Sequence, residues 1–327
     1  MKIRMGKLTD AFLASYTKDG YKSFFTEEAL KMKHIILVKG ASAKIRTEMY
    51  KSVAHILARE GQDVELIHQA QNQALLEGLI VKKRQIIVAD YGEEKRTKNA
   101  EIFDLTEYLD QEIYDIYAAK IVDLEEEIRV NLELLSESCK MINANHLPEA
   151  EIDEKAQQRL VKKIAAEYFF RDKPKPAVRF VRGLDGESLA EFLREILADI
   201  TRKYYLPPKM PDKTAALEEL AEQAGAAGYE AIIYYDSWDG ERAEVLSVPA
   251  LNLAISAQKM TDFAPCLKEM AEEWPNPRSI KKMLSSINVL QETLEEIYKD
   301  IMSEDYLAKA KESLRQKLDD CLENGAE

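Results

Sequence analysis

The stretch Ile35-Ile36-Leu37-Val38-Lys39-Gly40-Ala41-Ser42-Ala43-Lys44-Ile45-Arg46-Thr47 decides the fold. Its four consecutive apolar residues read as a buried strand. A glycine then opens a turn, and Thr47 to Arg59 carries a helical pattern. Strand, glycine-led turn and helix form the frame of a phosphate-binding loop, G-x-x-x-x-G-K-[ST]. Two positions break the match: Ile45 stands where the second glycine belongs, and Arg46 where the lysine belongs. The stretch Tyr204-Tyr205-Leu206-Pro207-Pro208-Lys209-Met210-Pro211-Asp212-Lys213-Thr214 repeats the frame 167 residues later. There Lys213 and Thr214 are intact, but three prolines fill the loop and Asp212 replaces the glycine.

The repeat extends beyond the loops, as a structural repeat must. Arg46 pairs with Lys213, Thr47 with Thr214, Gly61 with Gly228, Glu77 with Glu244 and Val81 with Val248, each at an offset of 167. A helical stretch follows each loop (Thr47 to Arg59, Thr214 to Ala224) and ends near a glycine suited to a left-handed cap. Apolar runs follow at Val64–Ile67 and Ala231–Tyr234, and again at Gln85–Asp90 and Leu251–Ala257. The order predicts an α/β fold: a tandem repeat of two three-layer domains, each with a small parallel sheet and crossover helices. Asp19-Gly20 and Asp185-Gly186 add a weaker match, slipped by one.

Two long stretches lack Gly and Pro, Glu93 to Leu147 and Arg278 to Asn324. In the first, Leu105, Leu109, Ile113, Tyr117, Ile121, Leu124, Ile128, Leu132, Leu135, Cys139 and Ile142 step by three or four, a helical apolar face. A helical hairpin or bent helices are expected, as appendages over 93–170 and 278–324. Lys173-Pro174-Lys175-Pro176 reads as a stiff linker. The expected domains are therefore residues 1–173 and 177–327.

Composition narrows the function. A net charge of −13 argues against general nucleic-acid binding, which needs a basic footprint. No apolar run reaches the ~18 residues of a membrane span, and the first residues lack the apolar core of a signal peptide. Cys139, Cys266 and Cys321 are too scattered for a zinc cluster or disulfide framework. A cytoplasmic setting is expected. His34, His55, His68 and His146 show no metal spacing, and no nucleophile–base set is legible. No catalytic residue is assigned.

The loops retain different fragments of phosphate chemistry. An intact loop offers inward N–H groups, a lysine charge and a Ser/Thr for Mg²⁺. The first copy keeps Gly40 and Thr47, and Arg46 keeps the charge without the lysine shape. Ile45 is expected to fill the phosphate position. The second copy keeps Lys213 and Thr214, but its prolines lack N–H donors and Asp212 adds an anion. Ile86-Ile87-Val88-Ala89-Asp90 reads as a strand ending in a metal-binding aspartate; the matching position in the second copy is Ala257.

In these residues the chain resembles a bacterial family of tandem P-loop NTPases described as predicted ATPases. The resemblance spans roughly Phe12 to Asn145 and Val178 to Leu322. Family members carry H-C-x-x-D-P-x-S-x-D after the second strand. Here His68 to Glu77 and Tyr235 to Glu244 occupy that place, retaining Glu77, Glu244 and, in the second copy, Asp239. The resemblance implies ATP and Mg²⁺ as cofactors. Lys213, Thr214, Gly40, Arg46 and Thr47 are the candidate cofactor contacts; Thr214, Asp239 and Asp90 are the candidate metal contacts. Three readings follow: a non-catalytic scaffold binding a protein partner or a second copy, a module with residual nucleotide or phosphate binding at the second loop, and a working ATPase.

Overall fold

The computed structural model describes residues 5–92, 99–143, 161, 177–180, 182–184, 189–191, 197, 199–206, 212–258 and 278–324. The second loop's Pro207–Pro211, the linker at 173–176, Asp185-Gly186, His146, Cys266 and most of 144–170 lie outside them.

The elements follow in chain order. The first are β1 (Leu8–Ala11), β2 (Ala14–Thr17), β3 (Gly20–Ser23), α1 (Phe25–Ala29), β4 (His34–Lys39) and α2 (Ala43–Arg59). Next come β5 (Val64–Gln69), β6 (Asn72–Val81), β7 (Ile86–Asp90), β8 (Ala100–Asp104) and α3 (Gln111–Asn143). Then come β9 (Ala177–Phe180), β10 (Arg182–Leu184), β11 (Leu189–Glu191), β12 (Arg202–Tyr205), α4 (Lys213–Ala226), β13 (Ile232–Tyr235), β14 (Ala243–Val248) and β15 (Leu253–Ser256). The chain ends with α5 (Arg278–Ile301) and α6 (Glu304–Asn324).

Two compact units interleave along the sequence. One comprises Met1–Ala11, Phe25–Leu135 and Arg278–Glu327; the other comprises Phe12–Phe24 and Ser136–Pro277. A division at residue 175 would give residues 12–24 to the first unit and 278–327 to the second.

The first unit holds a six-stranded sheet in the order β1-β5-β6-β7-β4-β8. The second holds a five-stranded sheet which, read from β9, runs β9-β13-β14-β15-β12. Five strands thus occur twice in the same order. The sheets are mixed rather than purely parallel: β1/β5, β7/β4 and β4/β8 are parallel, while β5/β6 and β6/β7 are antiparallel. In the second unit β9/β13 and β12/β15 are parallel, and β13/β14 and β14/β15 antiparallel. The reason is connection length. Only Ala70 and Gln71 separate β5 from β6, and one 3₁₀ turn, Lys82–Arg84, leads from β6 to β7. Neither can hold the dozen or so residues of a parallel crossover.

Local geometry repeats as well. Gly61 and Gly228 end the helices at φ +87° and +82°. Gln85 and Asn252 follow matching 3₁₀ turns at φ +53° and +52°, an unusual conformation for non-glycine residues. Both pairs are 167 apart.

The start of the stretch from Glu93 departs from the expected helices, while most of 144–170, where a second helix of a hairpin would lie, is outside the described residues. Residues 100–104 form β8 beside β4, Leu105–Tyr108 form a 3₁₀ turn, and α3 is a single helix of 33 residues. The apolar steps at Leu105 and Leu109 belong to the turn and its exit, where both side chains are buried. The period is carried by α3 from Ile113 onward. The stretch 278–324 forms two helices, α5 and α6, broken at Met302-Ser303.

The first unit's core lies between α2 and the sheet. Ile45, Met49, Val53 and Leu57 recur every four residues and face Ile36, Val38, Val81, Ile86 and Val88. Leu294, Ile297, Tyr298, Ile301, Met302, Leu314 and Leu318 of the C-terminal segment join the same cluster. In the second unit Leu217, Leu220, Ala221 and Ala224 of α4 pack with Ile233, Leu246 and Ile255.

Candidate functional site

The turn after β4 is shorter than a phosphate-binding loop. Gly40 (φ +80°) and Ala41 (φ +58°) reverse the chain, and Ser42 already caps α2. The Ser42 Oγ accepts from the Ile45 N–H at 3.3 Å. Ile45 therefore belongs to the helix and points into the core; it does not stand in the phosphate position as expected. A glycine is needed at 40 for a structural reason: a Cβ would meet Thr106 Cγ2 at 3.0 Å, at a φ that strains any side chain.

Arg46 and Asp90 come together. The Arg46 Nε and Nη2 donate to Asp90 Oδ1 and Oδ2 at 2.8 and 3.0 Å, a bidentate pair. Arg46 Nη1 donates to the carbonyls of Gly40 (3.1 Å) and Ala41 (2.5 Å). Four of its five N–H donors are used on protein acceptors. The Tyr50 hydroxyl donates to Asp90 Oδ1 at 2.7 Å. Burial would pull the Arg46 guanidinium down, but the Asp90 carboxylate outweighs it and holds Arg46 above its ordinary range. Burial, with Asp90 next, pushes the Tyr50 hydroxyl well up. The residues expected to meet phosphate and metal are thus neutralised by each other.

Thr47 is also occupied. Its Oγ1 donates to the Ala43 carbonyl and accepts from the Leu76 N–H, both at 2.8 Å. Thr214 Oγ1 accepts from the Ala243 N–H at 3.1 Å. Leu76 and Ala243 are themselves 167 apart, so each threonine ties its helix to the same residue of the hairpin strand.

In the second unit Asp212 caps α4, its Oδ1 accepting from the Ala215 N–H at 2.9 Å. Lys213 is the first helical residue. Asp239 pairs with Lys18 at 3.0 Å, and Arg242 contacts Asp236 at 3.1 Å and Glu244 at 3.4 Å. Ala257 is buried. Asp90 lies in one unit, Thr214 and Asp239 in the other. Among the described residues no group of three or more His, Cys, Asp or Glu could hold a metal ion. No helix there is long and apolar enough to cross a membrane.

Ser42 and Glu295 also take part. Ser42 carried a legible signal, a serine just ahead of a helical period. Glu295 carried none. This residue of α5, 253 positions away, accepts a short hydrogen bond from the Ser42 hydroxyl through Oε2. Beside this contact lies a cleft of about 610 Å³ whose lining includes Arg46, Glu125 and Glu295. Comparison with protein-family models, curated proteins and solved structures finds no match to the chain.

Proposed function

We propose that the chain is a tandem P-loop NTPase-like protein that has lost catalysis and serves as a scaffold for a protein partner or a second copy. One observation carries this reading: the bidentate Arg46–Asp90 pair. Phosphoryl transfer needs a cationic group on phosphate and a carboxylate directed to Mg²⁺ at the same site. Here each is consumed by the other, and releasing them would break a partly buried bidentate ion pair at a cost of about 2–3 kcal/mol, below that of a fully buried one. The Ser42–Glu295 contact adds a carboxylate at the start of α2, where an incoming anion would be repelled.

A second reading, residual anion binding in the second unit, is favoured by Lys213, which has no ion pair among the described residues. The test is calorimetry with ATP and Mg²⁺, together with steady-state phosphate release. The scaffold reading expects neither binding nor turnover. Binding lost in Lys213→Ala would favour the second reading. Turnover lost in Arg46→Ala would overturn the first.

A further inference from the structure

Glu295 is a buried carboxylate with an incomplete set of partners. It is 8% exposed, and its Oε2 accepts from Ser42. Among the described residues no cation lies within ion-pair distance of it, and Oε1 receives no hydrogen bond. The oxygen bonded to Ser42 is held inside, while Oε1 is not sealed and keeps access to solvent. A carboxylate with one face held and one face open can still take a cationic partner.

The carboxylate lines the cleft of about 610 Å³, a volume in the range of small-molecule sites. Glu125 lines it as well, and Ile128 and Leu132 form an apolar wall. Arg46 is committed to Asp90. The exposed rim carries Lys44 and Lys299 against Glu125, Glu292 and Glu296, so the lining is acidic on balance.

We propose that this cleft binds a small organic cation, a protonated amine or guanidinium on an aliphatic stem, with Glu295 as its counter-ion. The stem lies along Ile128 and Leu132, and Glu125 supplies a second carboxylate. The proposal rests on the reading above that Arg46 and Asp90 are closed to phosphate. It inverts the charge preference expected of a phosphate-binding loop at this place in the fold.

The test is calorimetry on the full chain with spermidine, agmatine, MgCl₂ and ATP as separate titrants. A saturable one-site isotherm is expected for spermidine or agmatine, with no saturable heat for ATP. Glu295→Gln should weaken amine binding about 30-fold, the loss that follows removal of one partner of a desolvated charge pair. Glu125→Gln, which changes an exposed side chain, should weaken it less and covers the case in which Glu295→Gln does not fold. Glu107→Gln, outside the lining, should bind as the parent does. Absence of saturable binding by both amines overturns the proposal, as does amine binding that both cleft variants leave unchanged. Saturable binding of MgCl₂ alone overturns the organic-cation assignment. ATP binding that disappears in Arg46→Ala overturns the underlying reading instead, which keeps the two failures distinct.

Discussion

The two helix starts, Gly40–Thr47 and Asp212–Thr214, share a frame and differ in chemistry. Both place a threonine whose hydroxyl accepts from the hairpin strand, at Leu76 in one case and Ala243 in the other. Both are followed by a glycine cap and a left-handed residue at matching positions. Yet Arg46 is locked to Asp90, whereas the counterpart of Asp90 is the buried Ala257. The cap is Ser42 backed by Glu295 in the first unit and Asp212 in the second. The geometry that holds helix to sheet is therefore separable from the charges that would work on phosphate. A backbone N–H buried against a helix must be satisfied in either unit. A lysine, arginine or aspartate at the loop is replaceable as long as its own charge is balanced.

The largest test of the comparison removes residues 278–327. The first unit would lose seven large apolar side chains from its core: Leu294, Ile297, Tyr298, Ile301, Met302, Leu314 and Leu318. At about 1.5–3 kcal/mol each, the loss exceeds 10 kcal/mol and rivals the total stability of a domain. Hydrogen exchange should show β4 to β7 unprotected in the truncated chain. Continued protection there would mean the first unit folds without its C-terminal helices.

Arg46→Met comes next. It leaves the partly buried Asp90 with only the Tyr50 hydroxyl, and should destabilise the first unit by about 2–3 kcal/mol in urea unfolding. Arg46→Met with Asp90→Leu should recover more than half of that loss. Lys213→Met at the matching position should change stability by less than about 0.5 kcal/mol, since Lys213 has no ion pair among the described residues. Equal costs at 46 and 213 would erase the distinction between the units.

Thr47→Val and Thr214→Val should behave alike. Each leaves a strand N–H without its acceptor, at about 1–3 kcal/mol. A large cost at one and none at the other would show that the shared frame is not shared energetically.

The smallest effects concern titration. Burial raises the Glu125 carboxyl above its ordinary value, and Arg46 and Lys39 oppose this only in part. A carboxyl raised on folding contributes stability that is fully present below its unfolded pKa and is lost as pH rises through its folded pKa. Glu125→Gln should therefore match the parent at acid pH and gain at most a few tenths of a kcal/mol near pH 7, because the desolvation is partial and much of the side chain still meets water. In the second unit, burial pushes the Cys139 thiol up to about 12, so native protein at pH 8 should resist alkylation at Cys139. Labelling at the rate of a free cysteine would contradict its burial.

The sequence by itself determined the repeat. The 167-residue offset, the glycine caps, the apolar strand runs and the four-residue core period of α2 are all local signals, set by backbone sterics and burial, and the two sheets carry five strands in matching order. The placement of Asp90 at the end of the strand beside β4 also followed from local pattern. Tertiary structure decided what local pattern does not encode. It paired residues 100–104 with β4 as a strand and left Leu105 and Leu109 in a 3₁₀ turn and its exit, so the helix starts only at Gln111. It drew Arg46 onto Asp90, because a guanidinium and a carboxylate leaving water together satisfy each other's charge and hydrogen bonds. It moved Ile45 from loop to core when Ser42 capped α2 early. It also brought Glu295 to Ser42 across 253 residues, a contact made by helix packing with no trace in the spacing of either residue.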